Sequence, residues 1–114
     1  MKKELQYLNR IEKRVLMSFV KELKEALGNE LVSIKLFGSK VRGDFGRDSD
    51  IDIFILVKQK TFKIRDIIAG IEVDYDIKYG LPISTVLYSL YEYKKNEELG
   101  SFFFENVEKE GIPL

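Results

Sequence analysis

"FGSKVRGDFGRDSDIDIFILV", residues 37–57, decides the fold. Its second half, "DIDIFILV" (50–57), is β-branched, aromatic and apolar at nearly every position. A strand with one wet face alternates polar and apolar residues, whereas a near-continuous apolar run belongs to a central strand covered on both faces. Asp50 and Asp52 interrupt that reading, because a carboxylate carried into a covered strand is costly unless something positive compensates it. Strand side chains alternate, so the two acids share a face and lie about 6–7 Å apart along the chain, while Ile51, Ile53 and Ile55 point the other way into the core. Two carboxylates so placed repel each other unless a cation lies between them.

The composition restricts that cation. There is no cysteine and no histidine, which removes disulfides, thiol nucleophiles, Ser-His-Asp triads and the usual zinc ligands. A metal here is held by oxygen, and Mg²⁺ takes one or two carboxylates together with substrate phosphates. An ordinary alternative stays open for the bare Asp-x-Asp pattern: Asp50 begins the strand and Asp52 lies on an open face.

Upstream, Gly38-Ser39 follows the strand "LVSIKLF" (31–37), in which Val32, Ile34 and Leu36 occupy one face. A short helix is expected to begin at Ser39. Glycine permits close backbone approach to a ligand, and amide groups at a helix start suit phosphate. Lys40 and Arg42 lie within reach of an anion there. An ordinary tight turn explains "GS" equally well in isolation. The combination carries more weight: an anion-binding turn, a short loop, then paired carboxylates on the next strand.

The remaining chain supplies the framework. Leu5, Leu8, Val15, Leu16, Phe19, Leu23 and Leu27 mark one face of a helix over 3–27, with Ile11 and Val20 near its edges and Gly28-Asn29 as its stop. Residues 61–79 fit a helix ended by Gly80, although Ile71, Val73, Tyr75 and Ile77 also alternate as a strand would. "ISTVLYSL" (83–90) reads as a strand. "NEELGSFFFENVEKEG" reads as one closing helix with Leu99, Phe103 and Val107 on one face. The order α-β-(turn)-β-α-β-α predicts an α/β (α+β) fold, a small mixed sheet with helices packed on it. The 114 residues are expected to form a single domain, 1–114.

"GSKVRGDFGRDSDIDIFILV" (38–57) resembles the DNA polymerase beta-like nucleotidyltransferase superfamily, whose motif is Gly-Ser, a short spacer and Asp-x-Asp on a strand. The "RGD" and "SDID" runs are similar to its minimal nucleotidyltransferases, many of them encoded beside helical HEPN proteins as toxin–antitoxin pairs. The resemblance implies that Gly38 and Ser39 hold the β- and γ-phosphates and that Asp50 and Asp52 ligate Mg²⁺. Arg42 and Asp44 match the family's "RGD" run, and Lys40 and Arg42, within reach of an anion at the turn, complete the expected nucleotide-binding set. Arg42 either meets a phosphate or pairs with Asp44 or Asp48, Ser49 shapes the loop, and Arg47 and Asp48 are solvated. The implied activity is transfer of a nucleoside monophosphate from a nucleoside triphosphate, ATP first, to a hydroxyl, with a HEPN-type partner as one acceptor and an antitoxin role.

One departure stands out. Active family members carry a third carboxylate on a following strand. Here Ser84 or Thr85 stands where an aspartate is expected, and neither is a base at neutral pH. Asp74 and Asp76 do not replace it on a helix, where residues two apart diverge by about 200°. A catalytically degenerate module that binds nucleotide or a partner is therefore the competing expectation.

Lys+Arg and Asp+Glu both number 19, so no basic excess favours nucleic acid. The N-terminus lacks a signal-peptide core and no apolar run reaches the ~18 residues of a membrane span, which makes cytoplasmic the default location. Phe102, Phe103, Phe104, Tyr88, Tyr91 and Tyr93 either close a core or cover an interface. An exposed patch there would favour a homodimer or hetero-complex.

Overall fold

The computed structural model describes residues 5–43 and 50–114, with the side chain of Ser39 excepted. The expectations placed on the side chain of Ser39 and on Asp44, Arg47, Asp48 and Ser49 lie outside the described residues.

The elements are α1 (Arg10–Leu27), a short 3-10 turn (Gly28–Glu30), β1 (Leu31–Phe37), α2 (Ser39–Arg42), β2 (Ile51–Val57), α3 (Phe62–Tyr79), β3 (Ile83–Ser89), α4 (Leu90–Glu98), α5 (Phe102–Glu110) and β4 (Ile112–Pro113). The strands form one mixed sheet in the order β3-β2-β1-β4. β1 is antiparallel to β2 and to β4, and β2 runs parallel to β3. The parallel pair is joined through α3, the crossover connection that such a pair requires.

β2 is covered on both faces, as its composition predicts. Ile51, Ile53, Ile55 and Val57 join Ile34, Leu36 and the apolar faces of α1 and α3 in the larger core. Phe54 and Leu56 face the other way and meet Val107, Phe37, Tyr88, Tyr93 and Phe103 under α4 and α5. Phe54 is 1% exposed, and burying such a side chain contributes about 1.5–3 kcal/mol. The Phe19 and Tyr75 rings meet edge to face at 5.3 Å, and the Tyr75 hydroxyl lies 2.7 Å from Ser18 Oγ, joining α1 to α3.

Several boundaries differ from the sequence reading. α1 begins at Arg10, not at residue 3, because Asn9 and Glu12 form a reciprocal cap. Asn9 Oδ1 accepts from the Glu12 N–H at 2.7 Å, and Glu12 Oε1 accepts from the Asn9 N–H at 2.9 Å. Leu5 and Leu8 still reach the core from the turn before the helix, so their spacing imitates another helical turn. The single closing helix is two helices. α4 ends at Glu98, and Ser101 caps α5 by accepting from the Phe104 N–H at 3.0 Å. Leu99 falls in the break and is 81% exposed, so it does not share a buried face with Phe103 and Val107. Val32 is likewise exposed, beside an irregularity in the β1–β2 register between Leu31 and Ser33. The two-residue β4 was not foreseen. The aromatic group divides: Tyr88, Tyr93 and Phe103 line the second core, whereas Tyr91 and Phe102 are exposed.

α3 is one helix, capped by Thr61 and ended by Gly80 in the left-handed conformation. Asp74 and Asp76 are exposed on it. No helix among the described residues is long and apolar enough to cross a membrane.

Candidate functional site

Asp52 occupies the second position of β2. Its register partners are Phe37 on β1 and Ser84 on β3. Alternation along β2 places it on the face of Phe54 and Leu56, at the uncovered end of the second core. Ser84 is therefore its lateral neighbour on the same face. Thr85 pairs with Ile53 on the opposite face and donates to Glu72 Oε2 at 2.7 Å. Ser84 and Thr85 are thereby separated: Ser84 stands beside Asp52 and Thr85 does not.

Gly38 forms the turn between β1 and α2, with φ +82°. Only glycine adopts this conformation without strain. A Cβ there would also collide with Asp52 Oδ2, so the turn and the carboxylate are in direct apposition. The Gly38 carbonyl accepts from the Val41 and Arg42 N–H groups at 3.0 and 3.3 Å, which closes α2.

Burial lifts the Asp52 carboxyl above the ordinary aspartate range, and repulsion from Asp50 adds to the rise. The Arg42 guanidinium offsets part of it. Asp50 is exposed, immediately before β2, and the Ile51 N–H is anchored to the Pro82 carbonyl at 2.8 Å. Asp50 also lines a cavity of about 430 Å³ with Glu72, Asp76, Pro82 and Ser84. The two acids are thus close enough to repel, and one of them is already partly desolvated. A hard divalent cation would relieve both penalties, and an all-oxygen donor set suits Mg²⁺. The residues present fit that ion. Among the described residues no cluster of three or more carboxylates gathers to hold a metal, in line with the serine beside Asp52.

The basic residues of α2 diverge. Arg42 is exposed near Asp52 and bonds Glu110 of α5 at 3.1 Å, a carboxylate from the far end of the chain. Lys40 is buried, with Nζ 3.2 Å from Glu12 Oε2 on α1. The fold sets the stem and charge of Lys40, expected within reach of an anion at the turn, against α1. Glu12 and Glu110 were not singled out from the sequence. The spacing Asn9-x-x-Glu12 is a legible capping signal, but nothing local connects Glu12 to Lys40 or Glu110 to Arg42.

With this geometry, the comparisons with known proteins agree on one family. The nucleotidyltransferase domain family matches residues 16–112. A Methanocaldococcus jannaschii protein named "Putative protein adenylyltransferase MJ0141" is 32% identical over 101 residues, covering 88% of this chain and 95% of that protein. Among solved structures, one described as "Structure of putative minimal nucleotidyltransferase" superposes with a TM-score of 0.57 at 21% identity, covering 90% of this chain and 94% of that one. A chain from the crystal structure of a mutant toxin–antitoxin MntA-HpeT gives a TM-score of 0.52 at 18% identity, covering 84% of this chain and 69% of that one. At these identities the two structures speak for the fold.

Proposed function

This chain belongs to the nucleotidyltransferase domain family, and from that premise we propose that it transfers a nucleoside monophosphate from a Mg²⁺-bound nucleoside triphosphate to a hydroxyl of a partner protein. The observation that supports the reading is the direct apposition of the Gly38 turn and the Asp52 carboxylate, so close that an added Cβ would collide. In the proposed reaction the acceptor oxygen forms a bond to the α-phosphorus. The α–β bridging P–O bond breaks, pyrophosphate leaves, and the hydroxyl proton passes to water.

Gly38 and Ser39 present backbone amides to the β- and γ-phosphates, and Arg42 contributes positive charge beside them. Asp50 and Asp52 would hold Mg²⁺, which when bound supplies neutralisation of the triphosphate charge. Phosphoryl-type transfer depends chiefly on such positioning and charge stabilisation. ATP is the nucleotide of first choice, and a protein hydroxyl the acceptor, because the curated relative is named for protein adenylyl transfer. A HEPN-type helical protein is the proposed partner and an antitoxin role the proposed setting, supported by the toxin–antitoxin likeness.

Ser84 beside Asp52 favours a second reading. A hydroxyl supplies neither a strong metal ligand nor a base, so a module that binds Mg²⁺–nucleotide, or only a partner, without efficient transfer fits the same geometry. The deciding experiment incubates purified protein with Mg²⁺ and each labelled triphosphate, with and without a co-purifying partner, beside Asp52→Asn. Label transfer that vanishes in the variant supports the enzyme. Binding without transfer supports the second reading in its nucleotide-binding form, and absence of both in wild type overturns transfer and nucleotide binding alike.

A further inference from the structure

Glu12 uses both of its carboxylate oxygens. Oε1 caps α1 through the Asn9 N–H at 2.9 Å, and Oε2 accepts from Lys40 Nζ at 3.2 Å. The side chains of Lys40 and Glu12 are only 9% and 13% exposed. Both charged groups are held largely out of water against each other, so their contact resists displacement. A second contact lies just beyond α2. A Cβ on Gly43 would fall 2.6 Å from Cζ of Tyr7, so the ring of the segment leading into α1 lies against the end of α2. The entry to α1 therefore grips α2 at Lys40 and again at Gly43. Lys40 follows Ser39 directly, and the Gly38 carbonyl is bonded into the same short helix. A shift of Lys40 would move the turn relative to Asp52.

We propose that Glu12 is a positioning residue for nucleotide binding: acting through Lys40, it fixes the Gly38–Ser39 turn against Asp52, so that a triphosphate meets a preformed cradle. This rests on the nucleotidyltransferase reading above. A preformed turn binds without first being ordered, which is where affinity is gained. The contribution of Lys40 is then through Glu12 and not by direct contact with phosphate.

The test compares wild type, Glu12→Gln, Lys40→Met and the double variant. Glutamine keeps an acceptor for the Asn9 N–H, so α1 retains its start. The measurements are hydrogen exchange of amides 38–42 without nucleotide, the affinity for Mg²⁺–ATP, and the KM and kcat of transfer. Either single variant is expected to speed exchange at 38–42 and to raise Kd and KM roughly 10-fold, the scale seen for supporting-shell residues. For Glu12→Gln, kcat should stay close to wild type. The double variant should be no worse than either single, as for two residues acting as one unit. Two results overturn the proposal. One is Glu12→Gln preserving or tightening ATP binding while Lys40→Met weakens it, which would make Lys40 a phosphate ligand. The other is a loss of thermal stability with exchange at 38–42 and KM unchanged, which would make the pair merely structural. Failure of the underlying reading is distinguishable, because it appears in wild type itself as no binding of Mg²⁺–ATP, and it would overturn the proposal with it.

Discussion

Asp52 and Ser84 are register partners on adjacent parallel strands, side by side on one face of the sheet. The position beside the half-buried aspartate is therefore filled by a hydroxyl. Ser84→Asp should strengthen Mg²⁺ binding and raise the transfer rate at least ~10-fold, since a positioned base alone is worth about 10²–10⁴. Titration of Mg²⁺ against label transfer checks this. An unchanged half-saturation would show that position 84 does not face the metal.

Asp52→Asn should abolish transfer, with a loss of at least ~100-fold on the scale of removing one charge-stabilising group. Its effect on stability should have the opposite sign. The folded-state pKa of Asp52 is raised by burial and by Asp50. Its stabilising effect is therefore fully present below the unfolded pKa and is lost as pH rises through the folded value. At pH 7 without metal, the asparagine variant should melt higher than wild type. Added Mg²⁺ should raise the melting temperature of wild type and leave the variant nearly unmoved. Thermal melts with and without Mg²⁺ decide it, and a variant that melts lower at pH 7 would refute the argument.

Gly38→Ala combines a positive φ with a Cβ placed against Asp52 Oδ2. Left-handed backbone costs a non-glycine residue about 1–2 kcal/mol, and either the turn or the carboxylate must also shift. Denaturant unfolding should report a loss of at least that size, and Mg²⁺–ATP binding should fall beyond what the stability change explains. Intact binding would mean that the apposition is not part of the site.

Glu92 caps α4. It accepts from the Ser89 N–H at 3.1 Å, and Lys60 lies 3.5 Å away. The Ser89 N–H holds its pKa below the ordinary 4.5, with Lys60 adding to the fall against a smaller opposing effect of burial. Its stabilising effect is present above the unfolded value and is lost as pH falls through the folded one. Glu92→Ala should therefore cost about 0.5–1 kcal/mol at pH 7, the lower part of the capping range because the side chain is 42% exposed. The difference from wild type should narrow as pH drops below 4.5. Urea unfolding at pH 7 and pH 3 checks both points.

Much of the framework was legible in the chain because it depends on local periodicity. The apolar run at 53–57 reads as a strand covered on both faces, and Gly80 marks the end of α3 by the hydrogen bond it makes with a near neighbour. The errors arose where two structures share one pattern. Leu5 and Leu8 are buried by a turn as well as they would be by a helix, and the break after Glu98 depends on a cap at Ser101 inside an otherwise helical composition.

By itself the sequence determined the turn-and-acid motif, the central strand that carries Asp52, and the family to which both belong. Only the tertiary structure decided which of Ser84 and Thr85 adjoins Asp52, because that follows from the register of β3 on β2. It alone also turned Lys40 toward Glu12, 28 residues away, and Arg42 toward Glu110, 68 residues away. The reason is the reach of each interaction. Backbone periodicity and caps act over three or four residues and are written in neighbouring letters. Charge pairs and strand register form between distant segments, and they are fixed only when the core closes and brings those segments together.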